Sequence, residues 1–263
     1  MTRWQEVGDG VLVRRYAELD LTVGLVVGSE LALVVDTRGD HRQGAELAEA
    51  VRQVTPLPWQ VVLTHAHFDH CFGTGAFLPA PVWAHERCAR HLDRTGESQR
   101  AEWIAHYREQ GREDIADALA ETTITGPDHL VADAAEIDLG GRTTRLLHLG
   151  PGHTDHDLVI AAGDVVFAGD LVEQGAPPDF GDAHPRHWPS TLDALLALTP
   201  ATVVPGHGEP VDPDFVRRQR AEIAEVARLC LQMREGAVGE REAVALSPYP
   251  PATTLSAFAR VVP

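Results

Sequence analysis

The stretch Gln60-Val61-Val62-Leu63-Thr64-His65-Ala66-His67-Phe68-Asp69-His70 decides how the rest of the chain is read. A short apolar strand runs straight into a cluster of polar side chains. At an extended strand end, His65 and His67 project to the same face, because side chains alternate with period two. The chain then turns, and Asp69 and His70 lie together at the start of the following segment. Four side chains of ligand type can therefore converge within six residues. A set of polar loop residues with no common purpose is the plainer reading of the same letters.

Three further islands share the chemistry: Gly150-Pro151-Gly152-His153-Thr154-Asp155-His156, Ala168-Gly169-Asp170 and Pro205-Gly206-His207-Gly208. Each places a ligand-type residue after an apolar strand and beside glycine, which lets the backbone turn sharply and approach a neighbour closely. Singly each is weak; in this order, behind the first motif, they are strong. Alternation predicts strands over Val11–Tyr16, Leu21–Val27, Leu31–Asp36, Gln60–Leu63 and Pro81–Ala84. Later strands are expected over Ala135–Leu139, Thr143–Leu149, Leu158–Ala162, Val165–Ala168 and Thr202–Val204. Helical spacing covers Arg42–Val54, most of Glu86–Glu121, a segment from Ser190 or Thr191 to Leu198, and Pro213–Arg234. Strands, helix, strands again and then helices suggest two similar β/α halves.

Composition narrows the function. The chain has 263 residues, 44% of them hydrophobic and 23% charged, enough for a real core. Its net charge is −17, from 22 basic residues against 39 acidic ones, and every basic residue is arginine. Without lysine there is neither a Schiff-base enzyme nor a Walker-type phosphate loop. The acidity opposes nucleic acid as a partner, and favours a small neutral or singly charged substrate over a polyanion. Cys71, Cys88 and Cys230 are too scattered for a disulfide framework or a metal knuckle. With no apolar signal segment near the N-terminus and no run of about 18 apolar residues, a cytoplasmic protein without a membrane span is expected.

The four islands together resemble the metallo-β-lactamase superfamily of metallohydrolases, over nearly the whole chain to Gly208. The resemblance implies an α/β fold, the four-layer αββα sandwich, as one domain over residues 1–263. It implies that His65, His67 and His153 hold one metal ion, that Asp69, His70 and His207 hold a second, and that Asp170 bridges them. Two Zn²⁺ are expected, with iron or manganese as alternative occupants; imidazole and carboxylate donors suit zinc, and three protein ligands per ion plus a bridge leave room for water. Ions about 3.5–4 Å apart can share a hydroxide already ionised near neutral pH, which would attack the carbonyl of a small ester, thioester, lactone or amide. Asp69 and Asp170 would then be catalytic as well as ligating. His156, with Asp155, would orient a ligand or give a proton to the leaving group. The Gly169-Asp170 setting resembles glyoxalase-II-like and lactonase-like members more than true β-lactamases. The alternative within the resemblance is an oxidoreductase of persulfide-dioxygenase type, which keeps the same motif and uses one iron.

Other segments carry expectations of their own. Asp36, at a strand end, supports the site from behind or caps a turn. Cys71 reads first as a small buried thiol. The loop Pro177–Trp188 would lie at the pocket mouth, making Phe180, His184 and Trp188 candidate substrate contacts, although Trp188 could equally staple a helix to the core. Residues 86–121, with Trp103 and Tyr107, are expected as a helical insertion that is either a lid or a packed surface helix. Residues 235–263 read as a loop-rich tail. Arg217, Arg218 and Arg220 read as a solvated helix face. Substrate identity and oligomeric state stay open.

Overall fold

The computed structural model describes residues 3–260, so residues 1, 2 and 261–263 of the expected domain and tail lie outside the described residues. Strands β1 (Trp4–Gly8), β2 (Val11–Arg15), β3 (Thr22–Val27), β4 (Ala32–Val35), β5 (Trp59–Val62), β6 (Val82–His85) and β7 (His129–Val131) form one sheet in sequence order. Its first four strands are an antiparallel meander; from β4 onwards the pairing is parallel. Parallel neighbours need crossover connections. These are α1 (His41–Val54), then α2 (Phe68–Cys71) with the 3₁₀ segment Phe72–Phe77, then α3 (Glu86–Glu109) with α4 (Glu113–Glu121).

A second sheet holds β8 (Ala134–Asp138), β9 (Thr143–Leu147), β10 (Val159–Ala162), β11 (Val165–Glu173) and β12 (Thr202–His207), in the spatial order β12-β11-β10-β9-β8. It is antiparallel except for the β11–β12 pair, which α5 (Trp188–Leu196) connects. Helices α6 (Pro213–Arg234), α7 (Glu240–Leu246) and α8 (Pro251–Ala259) follow. Asp40 caps α1 by accepting from the backbone N–H of Arg42 and Gln43, both at 2.8 Å. Asp212 caps α6 through Phe215 N–H, with Pro213 in the first turn where its missing donor costs nothing.

The period-two alternation divides each central strand between two cores. In β4, Ala32 and Val34 face one apolar cluster with Leu47 and Val51 of α1, whereas Leu33 and Val35 face another with Ile160 and Phe167 of the second sheet. In β10, Val159 and Ala161 join Leu192 of α5 and Ile223 of α6, whereas Ile160 and Ala162 turn to the first sheet. Three apolar clusters thus separate four layers: helices, sheet, sheet, helices. This is the αββα sandwich.

The structure departs from the sequence reading at several elements. Two strands, β1 and β7, were not expected, and β11 runs past Ala168 through Asp170 to Glu173. Residues 235–260 are not loop-rich, since they form α7 and α8, whose Ala243, Ala257 and Phe258 are buried against α6. Residues 86–121 form α3 and α4, with Cys88, Leu92, Tyr107 and Leu119 packed into the first core. No helix among the described residues is long and apolar enough to cross a membrane.

Candidate metal centre

The parallel strand β5 ends at Val62, and Leu63 and Thr64 carry the chain to the sheet edge. The chain bends at Thr64–Ala66, His67 is extended, and α2 begins at Phe68, so Asp69 and His70 sit on its single turn. The other ligand-type residues come from the second sheet: His153 from the loop before β10, Asp170 from within β11 and His207 from the end of β12. All seven converge. The ligand atoms of His65, His67, His153 and Asp170 lie within 4.8 Å of one another, as do those of Asp69, His70 and His207.

Asp170 stands between the two groups. Its Oδ2 lies 3.6 Å from His65 Nε2, 3.5 Å from His153 Nε2 and 3.3 Å from His207 Nε2; its Oδ1 lies 3.2 Å from His70 Nε2. The carboxylate reaches this position because two glycines make way for it. A Cβ at Gly206 would stand 1.8 Å from Asp170 Oδ1, and Gly169 takes φ +53° against the side chain of Thr64.

The residues fit a divalent cation. His67 Nδ1 and His153 Nε2 approach to 2.9 Å, and His70 Nε2 and His207 Nε2 to 3.3 Å, ring nitrogen towards ring nitrogen. Such pairs need a proton or an ion between them. His65 Nε2 and Asp170 Oδ1 are buried with no hydrogen-bond partner, which is costly unless something else satisfies them.

Four of the five histidines have their other ring nitrogen held from outside, which aims the inward nitrogen, whereas His153 Nδ1 is buried with no hydrogen-bond partner. His70 Nδ1 donates to Asp36 Oδ2 at 2.8 Å. His65 Nδ1 meets Thr64 Oγ1 at 3.0 Å, and that hydroxyl donates to Asp36 Oδ2 at 2.8 Å. Asp36 Oδ1 also accepts from Thr64 N–H at 2.7 Å. This one buried carboxylate, on a residue with φ +64°, therefore steadies one histidine of each group. His207 Nδ1 donates to the Leu19 carbonyl at 2.8 Å. His67 Nε2 lies 3.3 Å from Asp182 Oδ1, an ionic approach rather than a well-directed hydrogen bond.

Without an ion, protons do the balancing. Burial pushes His207 down, but Asp170 and Asp69 more than reverse this and raise it to about 10. Burial likewise opposes the charged form of His67, and Asp182 beside it raises that group to about 9. Burial, and the charge of His70, push His65 well below the ordinary range.

The match to known families agrees with this geometry. The model of the metallo-beta-lactamase superfamily matches residues 19–207. The chain belongs to the metallo-beta-lactamase superfamily. Among relatives in the superfamily, a protein of Bacillus subtilis called "Probable metallo-hydrolase YqgX" is 26% identical over 71% of this chain and 84% of its own. The chicken (Gallus gallus) "Acyl-coenzyme A thioesterase MBLAC2" is 29% identical over 57% of this chain. The Drosophila melanogaster "Beta-lactamase-like protein 2 homolog" is 24% identical over 64% of it. The chain spans 59% of the length of the chicken relative and 51% of the Drosophila one. A solved metallo-beta-lactamase from Pontibacter korlensis shares the fold, with a TM-score of 0.66 at 19% identity over 85% of this chain and 99% of that one.

An open cavity of about 720 Å³ lies over the centre, and His67, Asp69, His153, Asp170 and His207 reach its surface. Helix α3 forms one wall through His91, Thr95, Gln99 and Trp103, a row at helical spacing within the segment expected to be a lid or a packed surface helix. Trp103 stacks on Phe68 with ring centroids 4.2 Å apart, so this wall is packed in place.

Four candidate contacts stand elsewhere. His156 is buried behind the His65–His67 segment: its Nδ1 donates to Asp155 Oδ1 at 2.7 Å and its Nε2 accepts from Ala66 N–H at 3.3 Å. With both nitrogens engaged, it braces the backbone between His65 and His67 and does not face the cavity. Phe180 and Trp188 are fully buried in the second helical core, and Trp188 Nε1 donates to the Leu171 carbonyl at 3.1 Å. His184 lines a separate surface recess with Arg260. From that loop it is Asp179, Gly181 and Asp182 that line the cavity. Cys71 is a buried thiol donating to the His67 carbonyl, and burial pushes its pKa well up. Arg217 and Arg220 are paired with Asp214 and Asp193.

Proposed function

We propose that this chain is a metal-dependent hydrolase of small acyl substrates, with thioesters first among them, and that it works with two divalent ions, zinc by preference. The observation that carries the reading is the position of Asp170, whose two oxygens face both groups of ligands at the floor of an open cavity. His65, His67 and His153 would hold one ion, Asp69, His70 and His207 the other, and Asp170 would join them. When bound, such a pair supplies Lewis acidity and a water that ionises near neutral pH.

The protein's own contribution is position. Asp36, Thr64 and the Leu19 carbonyl aim the histidines, and the α3 wall and the 174–187 loop frame the space above them. No cysteine thiol faces the cavity among the described residues, since Cys71, Cys88 and Cys230 are all buried. His156 is turned away, so the geometry does not offer it as a proton donor to a leaving group. A thiolate asks for none, because its conjugate thiol has a pKa of about 8.5. Esters of alcohols and amides ask for more. The chicken relative's name, acyl-coenzyme A thioesterase, points the same way.

The test is metal analysis alongside turnover on thioester, lactone and β-lactam panels. About two zinc per chain and preferential thioester cleavage, both lost in Asp170→Ala, is the expected result. A single iron with oxygen consumption on a persulfide would overturn it.

A further inference from the structure

A second recess, of about 370 Å³, opens beside α3 and is lined by Arg87, Arg90, Arg94, Asp93 and Asp155. The arginines recur at spacings of three and four, so they share one face of the helix. His91, which lines the main cavity, lies between Arg90 and Arg94 on the adjoining face. Its ring is 5.0 Å from that of His156, which in turn donates to Asp155. The recess and the cavity therefore share a wall, and each arginine lies within about one helical turn of His91.

In a chain of net charge −17, three guanidiniums on one wall are a local exception. They are also partly prepared. Arg87 Nε donates to the Asp155 carbonyl at 2.6 Å and Arg87 Nη2 to His148 Nε2 at 2.7 Å, which fixes its fork. Arg90 makes one exposed pair with Glu86 at 3.2 Å. Arg94 makes no hydrogen bond or ion pair among the described residues. Of the two carboxylates, Asp155 accepts from His156 and also lies 3.6 Å from Arg87 Nε. Arg94 is the guanidinium left to meet an anion, with Arg87 and Arg90 beside it.

We propose that this recess binds the phosphate groups of a phosphorylated thiol carrier while the acyl thioester of the same molecule enters the neighbouring cavity. The proposal rests on the thioester reading above and narrows it to coenzyme-A-like substrates. Guanidinium forks match phosphate oxygens in pairs. No aromatic side chain lines the recess, so recognition there is by charge rather than by a base. The acidic surface does not forbid it, because fields decay over about 8 Å at physiological salt. Such binding would give a polyanionic substrate a local attraction that the net charge of −17 does not suggest.

The experiment compares acyl-CoA, acyl-phosphopantetheine and the uncharged acyl-N-acetylcysteamine thioester on the metal-loaded enzyme, with wild type and Arg90→Glu/Arg94→Glu. Both positions are exposed, so the variant is expected to fold, and circular dichroism checks this. The expected result is a KM for acyl-CoA raised about tenfold or more, steepened salt dependence in wild type only, and no change for the uncharged thioester. Acyl-phosphopantetheine separates the phosphate beside the pantetheine arm from those further out. Calorimetry with adenosine 3′,5′-bisphosphate, which carries no thiol, gives a reading independent of turnover. Binding by wild type and not by the variant supports the recess even if no thioester is cleaved, in which case the proposed function fails alone. Thioester cleavage with KM values that neither the phosphates nor the variant alter overturns the recess and leaves the proposed function standing.

Discussion

The two sheets reach the cavity by different means. The seven-stranded sheet delivers His65, His67, Asp69 and His70 in one strand-to-helix turn, whereas the five-stranded sheet delivers His153 from the loop before β10, Asp170 from within β11 and His207 from the end of β12. The first delivery is local, and its brace, Asp36, comes from the neighbouring strand end of the same sheet. The second depends on close approach between distant segments: Gly206 under Asp170 and Leu19 behind His207. A contiguous motif carries its geometry in its own backbone. Dispersed ligands borrow theirs from the rest of the fold.

The largest effect is expected at Asp170, which faces both groups. Asp170→Ala should lower kcat by on the order of 10³-fold or more and release at least one metal equivalent, because opposed histidines lose the charge between them. Equilibrium dialysis and steady-state kinetics check both. A variant that kept two ions and its turnover would show the second sheet's contribution to be dispensable.

Next comes Gly206→Ala, a change of one methyl group that touches no ligand chemistry. Its Cβ would stand 1.8 Å from Asp170 Oδ1, so the carboxylate must move. A displacement of about 1 Å at a reacting centre costs about 10²-fold in rate. The expected outcome is that loss of activity with the circular dichroism spectrum retained. If activity survived, the claim that the second sheet works by close approach would break.

Asp36→Ala tests the first sheet. It removes the acceptor for His70 Nδ1, Thr64 N–H and Thr64 Oγ1 together. Metal affinity should fall by about 10- to 100-fold, as for other partners of ligating histidines. The buried Thr64 N–H left unpaired should cost about 1–3 kcal/mol of stability, read in a denaturant titration. Because Asp36 serves one histidine of each group, both ions should weaken; weakening of one alone would show that the groups are braced separately.

The same contrast explains what could be read from the sequence. The strands were legible because alternation assigns every second residue of β4 or β10 to a different core. The seven histidines and aspartates that converge were legible as candidates because glycine and histidine mark them. Strand β7 was missed because its three residues, His129-Leu130-Val131, are too few to show a period. Helix α8 was missed because Ser247-Pro248-Tyr249-Pro250-Pro251 reads as loop, although Pro251 stands in the helix's first turn, where proline is at home. Phe180 and Trp188 looked like pocket residues only because nothing in the sequence says which side of a loop faces the core. Asp182 carried no signal at all: its value lies in standing 3.3 Å from a histidine more than a hundred positions earlier.

The smallest effect should come from furthest away. Arg260, at the end of α8, donates from Nε to the Ala183 carbonyl and from Nη2 to the Asp182 carbonyl, both at 3.1 Å. It lies beyond the residues that the superfamily model matches. Yet it holds the backbone of the residue whose carboxylate faces His67. Arg260→Ala should weaken the ion at the His65, His67 and His153 group by about three- to tenfold, the range for one or two net hydrogen bonds. The ion at Asp69, His70 and His207 should be untouched, since its braces are Asp36 and Leu19. Arg220→Ala is the matched control, because its pair with Asp193 anchors α6 to α5 and leads nowhere near the loop. Equal losses in the two arginine variants would mean a general loosening of the helical layer. A loss confined to Arg260→Ala, and to one ion, would show that His67, although delivered by the first sheet, is steadied from the C-terminal helices through Asp182.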